Sequence, residues 1–263
     1  MQLKVFTAFS GYDSQCLALD RLHDDYPEFS YELVGWSEID SQAIKAHNAI
    51  YPQWADRNYG DIAKIDWLQV PNFDLFTYSF PCQSVSTCGL QHGLTEGSGT
   101  RSSLLWECKK AIVTKNPKYL LMENVKALLQ KKFMPDFQKW IGWLESQGYK
   151  NVYQVMNAKD YGVPQNRERV FMVSILTEQP MTFRFPNPFK LTKRVIDILE
   201  PDVADRYYFK QEQIERILKH CERKVSEGCG FRPQFTPPRS VSGTISTKYG
   251  TRETDPLLTL QES

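Results

Sequence analysis

An α/β fold with a doubly wound sheet is predicted by three observations. Strand-like apolar runs alternate with segments of helical periodicity from Leu3 to Leu176. Several of those runs end in an acidic residue or a proline, as chains do when they leave a sheet edge. At 263 residues, 41% hydrophobic and 24% charged, the chain can bury a full core and still carry a smaller second region.

The first strand runs from Leu3 to Phe9, turns through Ser10-Gly11-Tyr12-Asp13, and gives way to Cys16, Leu17, Leu19 and Leu22 at helical spacing. Tyr31 to Trp36 reads as a second strand, ending in Ser37-Glu38-Ile39-Asp40 before a helix through Ile44 and His47. Glu38 stands where a nucleoside-binding α/β domain holds ribose hydroxyls, because a carboxylate accepts two hydrogen bonds from a diol. The alternative for Glu38 is an acid favoured at a helix N-terminus by the dipole. Another acidic tip follows at Gly60-Asp61-Ile62.

The apolar run Phe73 to Tyr78 gives the next strand and leads into Ser79-Phe80-Pro81-Cys82-Gln83. This order sets a thiol at the carboxyl edge of the sheet, where open α/β folds place their ligands. Cys82 is therefore a candidate nucleophile; the plainer alternative is a small buried hydrophobe. Ser84 to Ser103 contains Gly89, Gly93, Gly97 and Gly99 and almost no large apolar residues, and is expected as a mobile lid rather than a helix.

Leu104 to Thr114 looks helical, and Tyr119 to Met122 is a buried strand ending in Glu123-Asn124-Val125. A carboxylate at such a strand end is poorly solvated, which raises its pKa and lets it donate a hydrogen bond at neutral pH. A helix from Phe133 to Ser146, a strand from Tyr149 to Met156 and a last strand from Val170 to Leu176 complete the alternation. Arg167 and Arg169 lie two apart and so share one face of a strand; an exposed, solvated edge is their alternative reading.

Phe185-Pro186-Asn187-Pro188-Phe189 reads as a linker, dividing the chain into residues 1–185 and 186–263. The second part carries a helix from Gln211 to Val225. Between Lys210 and Arg252 stand nine Lys or Arg against four Glu, and with Phe235 and Tyr249 nearby such a face suits phosphate contact and base reading. A merely solvated surface is the alternative. The net charge of +1 argues neither way, since a local basic face can be balanced elsewhere.

No run of about 18 apolar residues occurs and no signal-peptide core precedes the first strand, so a cytoplasmic location without membrane association is expected. Six cysteines without a C-x-x-C pair and four scattered histidines argue against zinc. Disulfides are not expected in a reducing compartment.

Phe9-x-Gly11, Glu38, Asp61-Ile62, Pro81-Cys82-Gln83, Arg101-x-x-Leu104, Glu123-Asn124-Val125 and Gln165-x-Arg167-x-Arg169 occur in the order and approximate spacing of the DNA (cytosine-5)-methyltransferase family. Any one of these motifs arises by chance, but seven in order at the expected ends of elements make the chain resemble that family over residues 3–176. The resemblance implies a Rossmann-like methyltransferase sheet followed by a partial target-recognition region, with S-adenosylmethionine as cofactor and double-stranded DNA as partner. It implies that Cys82 adds to carbon 6 of cytosine, that Glu123 protonates ring nitrogen 3, and that Asn124 helps hold the site. Arg167 and Arg169 would stabilise the developing charge and orient Glu123, on a base flipped out of the duplex. Phe9, Gly11, Glu38, Ile39, Asp61, Ile62, Pro81 and Leu104 would line the cofactor pocket.

Two departures from the family pattern are visible. The family usually reads F-x-G-x-G, whereas Asp13 stands at the second glycine and its side chain must find room. The family's arginine-rich motif and terminal G-N-x-V helix are not found before Ser263. A second polypeptide that supplies them, a truncated chain, or a decayed protein would each explain this, and the intact catalytic positions favour the first two. The expected role is restriction–modification or phage self-protection. A non-catalytic nucleic-acid-binding or regulatory protein on the same scaffold, or a tRNA cytosine methyltransferase, are the competing readings.

Overall fold

The computed structural model describes residues 2–82, 94–227, 234–245 and 256–258. Gln83, the first half of the expected lid (84–93) with Cys88, and Cys229, Tyr249 and Arg252 lie outside them. The chain packs as two units, Met1–Val155 with Arg169–Phe185, and Met156–Glu168 with Pro186–Ser263. The proline-rich linker coincides with the break after Phe185, but residues 156–168 leave the part to which the sequence assigned them.

In the first unit a six-stranded sheet has the order β2-β1-β3-β4-β6-β5. Its strands are β1 Gln2–Ala8, β2 Ser30–Ser37, β3 Leu75–Tyr78, β4 Tyr119–Val125, β5 Tyr149–Asn157 and β6 Glu168–Leu176. β1 is parallel to β2 and β3, β3 is parallel to β4, and β6 runs antiparallel to β4. The chain moves from β1 to β2 and then crosses back to form β3 on the other side of β1. That reversal makes a topological switch point between β1 and β3, and ligands bind at the carboxyl ends of the strands there. The Phe9–Asp13 and Ser79–Cys82 loops both leave the sheet at this point.

Alternation along the strands covers both faces. On β1, Val5 joins a core with Cys16, Leu33, Trp36 and Tyr51, whereas Phe6 and Ala8 face a second, larger core. Helices α1 (Ser14–Asp25) and α2 (Ser41–Ile50) contribute Leu17 and Ile44 to the first core; α3 (Cys108–Lys115) and α4 (Met134–Ser146) contribute Ile112, Phe137, Trp140 and Leu144 to the second. Phe6 sits among the rings of Tyr59, Trp67, Phe73 and Phe76. All six tryptophans belong to this unit.

The helix expected over Leu104 to Thr114 is split: a 3-10 helix, Arg101–Glu107, precedes α3. The expected lid is also tied down earlier than Ser103. Leu94 is fully buried, its carbonyl accepts from Trp106 Nε1 at 2.6 Å, and the Thr95 hydroxyl donates to Asp136 at 2.8 Å. These contacts override the loop-like composition, because a tertiary anchor leaves no trace in local sequence.

The second unit contains α5 (Gln211–Ser226) and a short parallel pair, β7 (Gln234–Thr236) and β8 (Pro256–Leu258). Backbone bonds join its two sequence segments: Phe189 N–H to the Asp160 carbonyl, Asn166 N–H to the Ser242 carbonyl, and Ser242 N–H to the Pro164 carbonyl. Among the described residues, no helix is long and apolar enough to cross a membrane, and no group of three or more side chains could hold a metal ion.

Gly35 on β2 allows Phe6 to pack as it does, since a Cβ there would stand 2.7 Å from both Phe6 Cε2 and Tyr59 Cε2. Gly35→Ala is expected to destabilise the protein by about 1–3 kcal/mol through overpacking, measurable as a lower urea midpoint with an unchanged slope.

Candidate active site

β3 ends at Tyr78, and the Ser79 N–H still bonds to the Ala8 carbonyl at 3.4 Å. Phe80 then turns into the core at 2% exposure. Proline at 81 has no N–H to offer a ladder, so the strand stops. Asn124 Nδ2 donates to the Phe80 carbonyl at 3.0 Å, and the Ser102 hydroxyl donates to the Pro81 carbonyl at 2.6 Å. The two carbonyls immediately before Cys82 are thus fixed, and the half-buried Cys82 side chain packs against the larger core.

Glu123 and Asn124 are successive residues of β4 and point to opposite faces. Asn124 is buried, opposite Val170, and its Oδ1 also accepts from the Val125 N–H at 2.9 Å. Glu123 pairs with Phe171, which makes Arg169, opposite Val125, its diagonal neighbour on the same face. Arg169 Nε lies 3.1 Å from Glu123 Oε1, with the side chains 18% and 27% exposed. Burial alone was the basis for expecting a neutral Glu123. Arg169, which the family resemblance assigned to orienting Glu123, stands at contact distance, and an opposite charge favours a carboxylate.

Arg167 and Arg169 were expected to work as a pair. Arg169 belongs to the first unit, whereas Arg167 falls in the second. There its N–H donates to Asn157 Oδ1 and its carbonyl accepts from the Ala158 N–H, each at 3.0 Å.

On the other side of the switch point, Phe9, Gly11 and Asp13 have φ of 55°, 59° and 67°. The left-handed values wind the chain tightly between β1 and α1. Glu38 grips this loop: its Oε2 accepts the Gly11 N–H at 3.0 Å, and its Oε1 accepts those of Ile39 and Asp40 at 2.7 and 2.8 Å. A carboxylate has about four acceptor positions, so the backbone takes most of them, and a ribose would share Oε2 with Gly11. The N-cap of α2 is Asp40, not Glu38.

Asn58 brings the Glu38 and Asp61 tips together. Its Oδ1 accepts from the N–H groups of Glu38 and Gly60, and its Nδ2 donates to the Glu38 carbonyl. Asp61 caps a short 3-10 turn through the Ala63 N–H and faces solvent. Ile62 is 3% exposed and packs into the core, so its side chain has little surface to offer a cofactor. Ile39 is the reverse: 71% exposed beside Glu38, it presents a flat apolar contact. Pro81 is half-buried, and Leu104 is half-buried against the larger core. S-adenosylmethionine fits this donor set: an apolar face beside a carboxylate suits an adenosine. Among the described residues, the buried Ser10 hydroxyl on the same loop has no hydrogen-bond partner, which suits a polar contact from a cofactor.

Asp13 does find room. It is fully buried, accepts from the Thr7 hydroxyl at 2.7 Å, caps α1 through the Cys16 N–H at 3.3 Å, and lies 3.6 Å from Nε2 of the buried His47. Aspartate tolerates the left-handed region better than most residues, so it can stand at a glycine position and turn inward. Ser102, Asn58 and Thr7 carried no sequence signal; for Asp13, the departure from the glycine pattern was the signal.

The family model for C-5 cytosine-specific DNA methylase matches residues 3–256. The type II methyltransferase M2.ScrFI of Lactococcus lactis subsp. cremoris is 39% identical over 270 residues, covering 82% of this chain and 73% of that protein. The orphan methyltransferase M.SssI of Spiroplasma monobiae is 35% identical over 316 residues, covering 93% and 81%. Among solved structures, S. pombe Dnmt2 methyltransferase superposes with a TM-score of 0.71 at 17% identity, covering 99% of this chain and 77% of that one, which speaks to the fold. With the family model matched over nearly its whole length and relatives at 39% and 35% identity, this chain belongs to the C-5 cytosine-specific DNA methylase family.

Proposed function

We propose that this chain methylates carbon 5 of a flipped-out cytosine in double-stranded DNA through a covalent adduct with Cys82, with S-adenosylmethionine as methyl donor. The observation that carries this reading is the pinned Phe80-Pro81-Cys82 turn, held by Asn124, next to a Glu123–Arg169 ion pair on the adjacent strand. Carbon 5 of cytosine is a weak nucleophile. The Cys82 thiolate attacks carbon 6, the Sγ–C6 bond forms, and the carbon 5–carbon 6 π pair moves into the ring as nitrogen 3 takes a proton from Glu123. Glu123 must therefore gain a proton before the step, and Arg169 orients its carboxyl. Arg167 is assigned to the cytosine carbonyl, where a guanidinium stabilises the same charge.

Phe9, Gly11, Glu38, Ile39, Asp61, Ile62, Pro81 and Leu104 are assigned to the cofactor, with Ile62 acting through its backbone. When bound, S-adenosylmethionine supplies an electrophilic methyl group to carbon 5. Loss of the carbon 5 proton to water then restores the carbon 5–carbon 6 double bond, breaks the Sγ–C6 bond and releases the thiolate, while nitrogen 3 returns its proton to Glu123. A stacked base exposes neither carbon 6 nor nitrogen 3 to these groups, which is why flipping is part of the proposal.

The family description supports DNA as substrate, and transfer RNA serves as the comparison. The relatives include type II and orphan enzymes, which favours a role in restriction–modification or phage self-protection. The comparisons lend no support to a second polypeptide.

Duplex DNA carrying 5-fluorocytosine, S-adenosylmethionine and the protein should give an adduct that survives denaturation, because fluorine blocks the final elimination. Cys82→Ala is expected to abolish it. No adduct from the wild-type protein would favour the non-catalytic reading, and methyl transfer to transfer RNA but not DNA would change the substrate. Glu123→Gln is expected to lower kcat by about 10²-fold or more, read with tritiated cofactor, while Cys82 remains alkylatable. Burial pushes the Cys16 and Cys108 thiols up from their ordinary pKa. Iodoacetamide at pH 8 should therefore label Cys82 in the native protein and leave Cys16 and Cys108 unlabelled, as peptide mass mapping would show.

A further inference from the structure

The proposed reaction needs the cofactor loop after β1 and the nucleophile loop after β3 to adopt their working geometry together, and one side chain spans the two. Gln15, half-buried in the first turn of α1, donates Nε2 to Ser79 Oγ at 3.1 Å. Its Oε1 accepts from the Ser14 hydroxyl at 3.3 Å, so both ends of the amide are engaged. The start of α1 is itself fixed, since Asp13 caps it and is anchored on β1 through Thr7. Gln15 therefore moves with the Gly11 loop that Glu38 grips, while Ser79 moves with the turn carrying Cys82.

We propose that Gln15 is a positioning residue that couples the cofactor loop to the Cys82 loop through Ser79. This rests on the reading of Cys82 as nucleophile and of the Phe9–Asp13 loop as part of the cofactor site. Gln15 touches neither reacting atom; it acts by holding Ser79, so that a shift at Gly11 reaches the backbone leading to Cys82.

The test uses the full chain with Gln15→Leu, which removes the donor at similar bulk, and Ser79→Ala. A single neutral hydrogen bond corresponds to about a three- to tenfold change. Each variant is expected to lower kcat for methyl transfer by that factor while the KM for S-adenosylmethionine moves less than about twofold. The double variant should be no worse than the poorer single, as coupled partners require. A readout without methyl transfer is the rate of Cys82 alkylation by iodoacetamide with and without saturating S-adenosylhomocysteine. The product should change this rate in the wild-type protein and leave it unchanged in Gln15→Leu; Gln15→Met repeats the measurement if leucine disturbs α1. Additive kcat losses, or the same alkylation response in wild type and variant, would overturn the coupling. A wild-type protein that methylates nothing would refute the proposed function instead, and alkylation would still decide the coupling.

Discussion

The hydrogen bond from the Asn124 amide to the Phe80 carbonyl joins two parallel strands at the place where β3 stops being a strand. The amide is buried and its oxygen is occupied by the Val125 N–H, so the bond has no alternative geometry and water cannot replace it. Because strand residues alternate, fixing Asn124 toward one face sends Glu123 to the other, where the register of β6 delivers Arg169. The turn before Cys82, Glu123 and Arg169 are therefore all placed by one register. A one-residue slip of β4 would exchange the faces of Glu123 and Asn124 and dismantle all three.

The opposite bank of the switch point is organised by backbone conformation. Three left-handed residues in five make a turn too tight for ordinary side chains, and glycine adopts this region without strain only at position 11. Phe9 and Asp13 are held there by what surrounds them: Phe9 packs against the larger core, and Asp13 is bonded to Thr7 and α1. Strain of this kind persists where the surrounding structure over-determines it, and it clusters at functional sites. Glu38 completes the arrangement by donating no proton and accepting three, which ties the turn to the end of β2.

The alternation of elements and the position of the candidate residues at strand ends were legible in the sequence because each depends on local pattern: apolar period, turn residues and short motifs. What stayed illegible is tertiary. Ser102, Asn58 and Gln15 are ordinary polar residues that donate to a carbonyl or, for Gln15, to a hydroxyl far away in the chain. The transfer of residues 156–168 to the second unit also escaped, since no composition change marks it. Glu123 shows the limit most plainly: the motif pointed to Arg169 as the residue that orients it, while the register that makes the contact, Arg169 opposite Val125 on an antiparallel β6, is not encoded by motif spacing.

The placement of the tryptophans has a spectroscopic consequence. With all six in the first unit, among them Trp140 in contact with both Trp106 and Trp143 and Lys109 over the latter two rings, indole emission reports on that unit alone. The second unit, with Tyr207 and Tyr208 exposed, is visible only in the tyrosine band. Excitation confined to the indole band thus follows the six-stranded sheet selectively within a single unlabelled chain, whereas the tyrosine band mixes both units, since nine of the 13 tyrosines stand in the first.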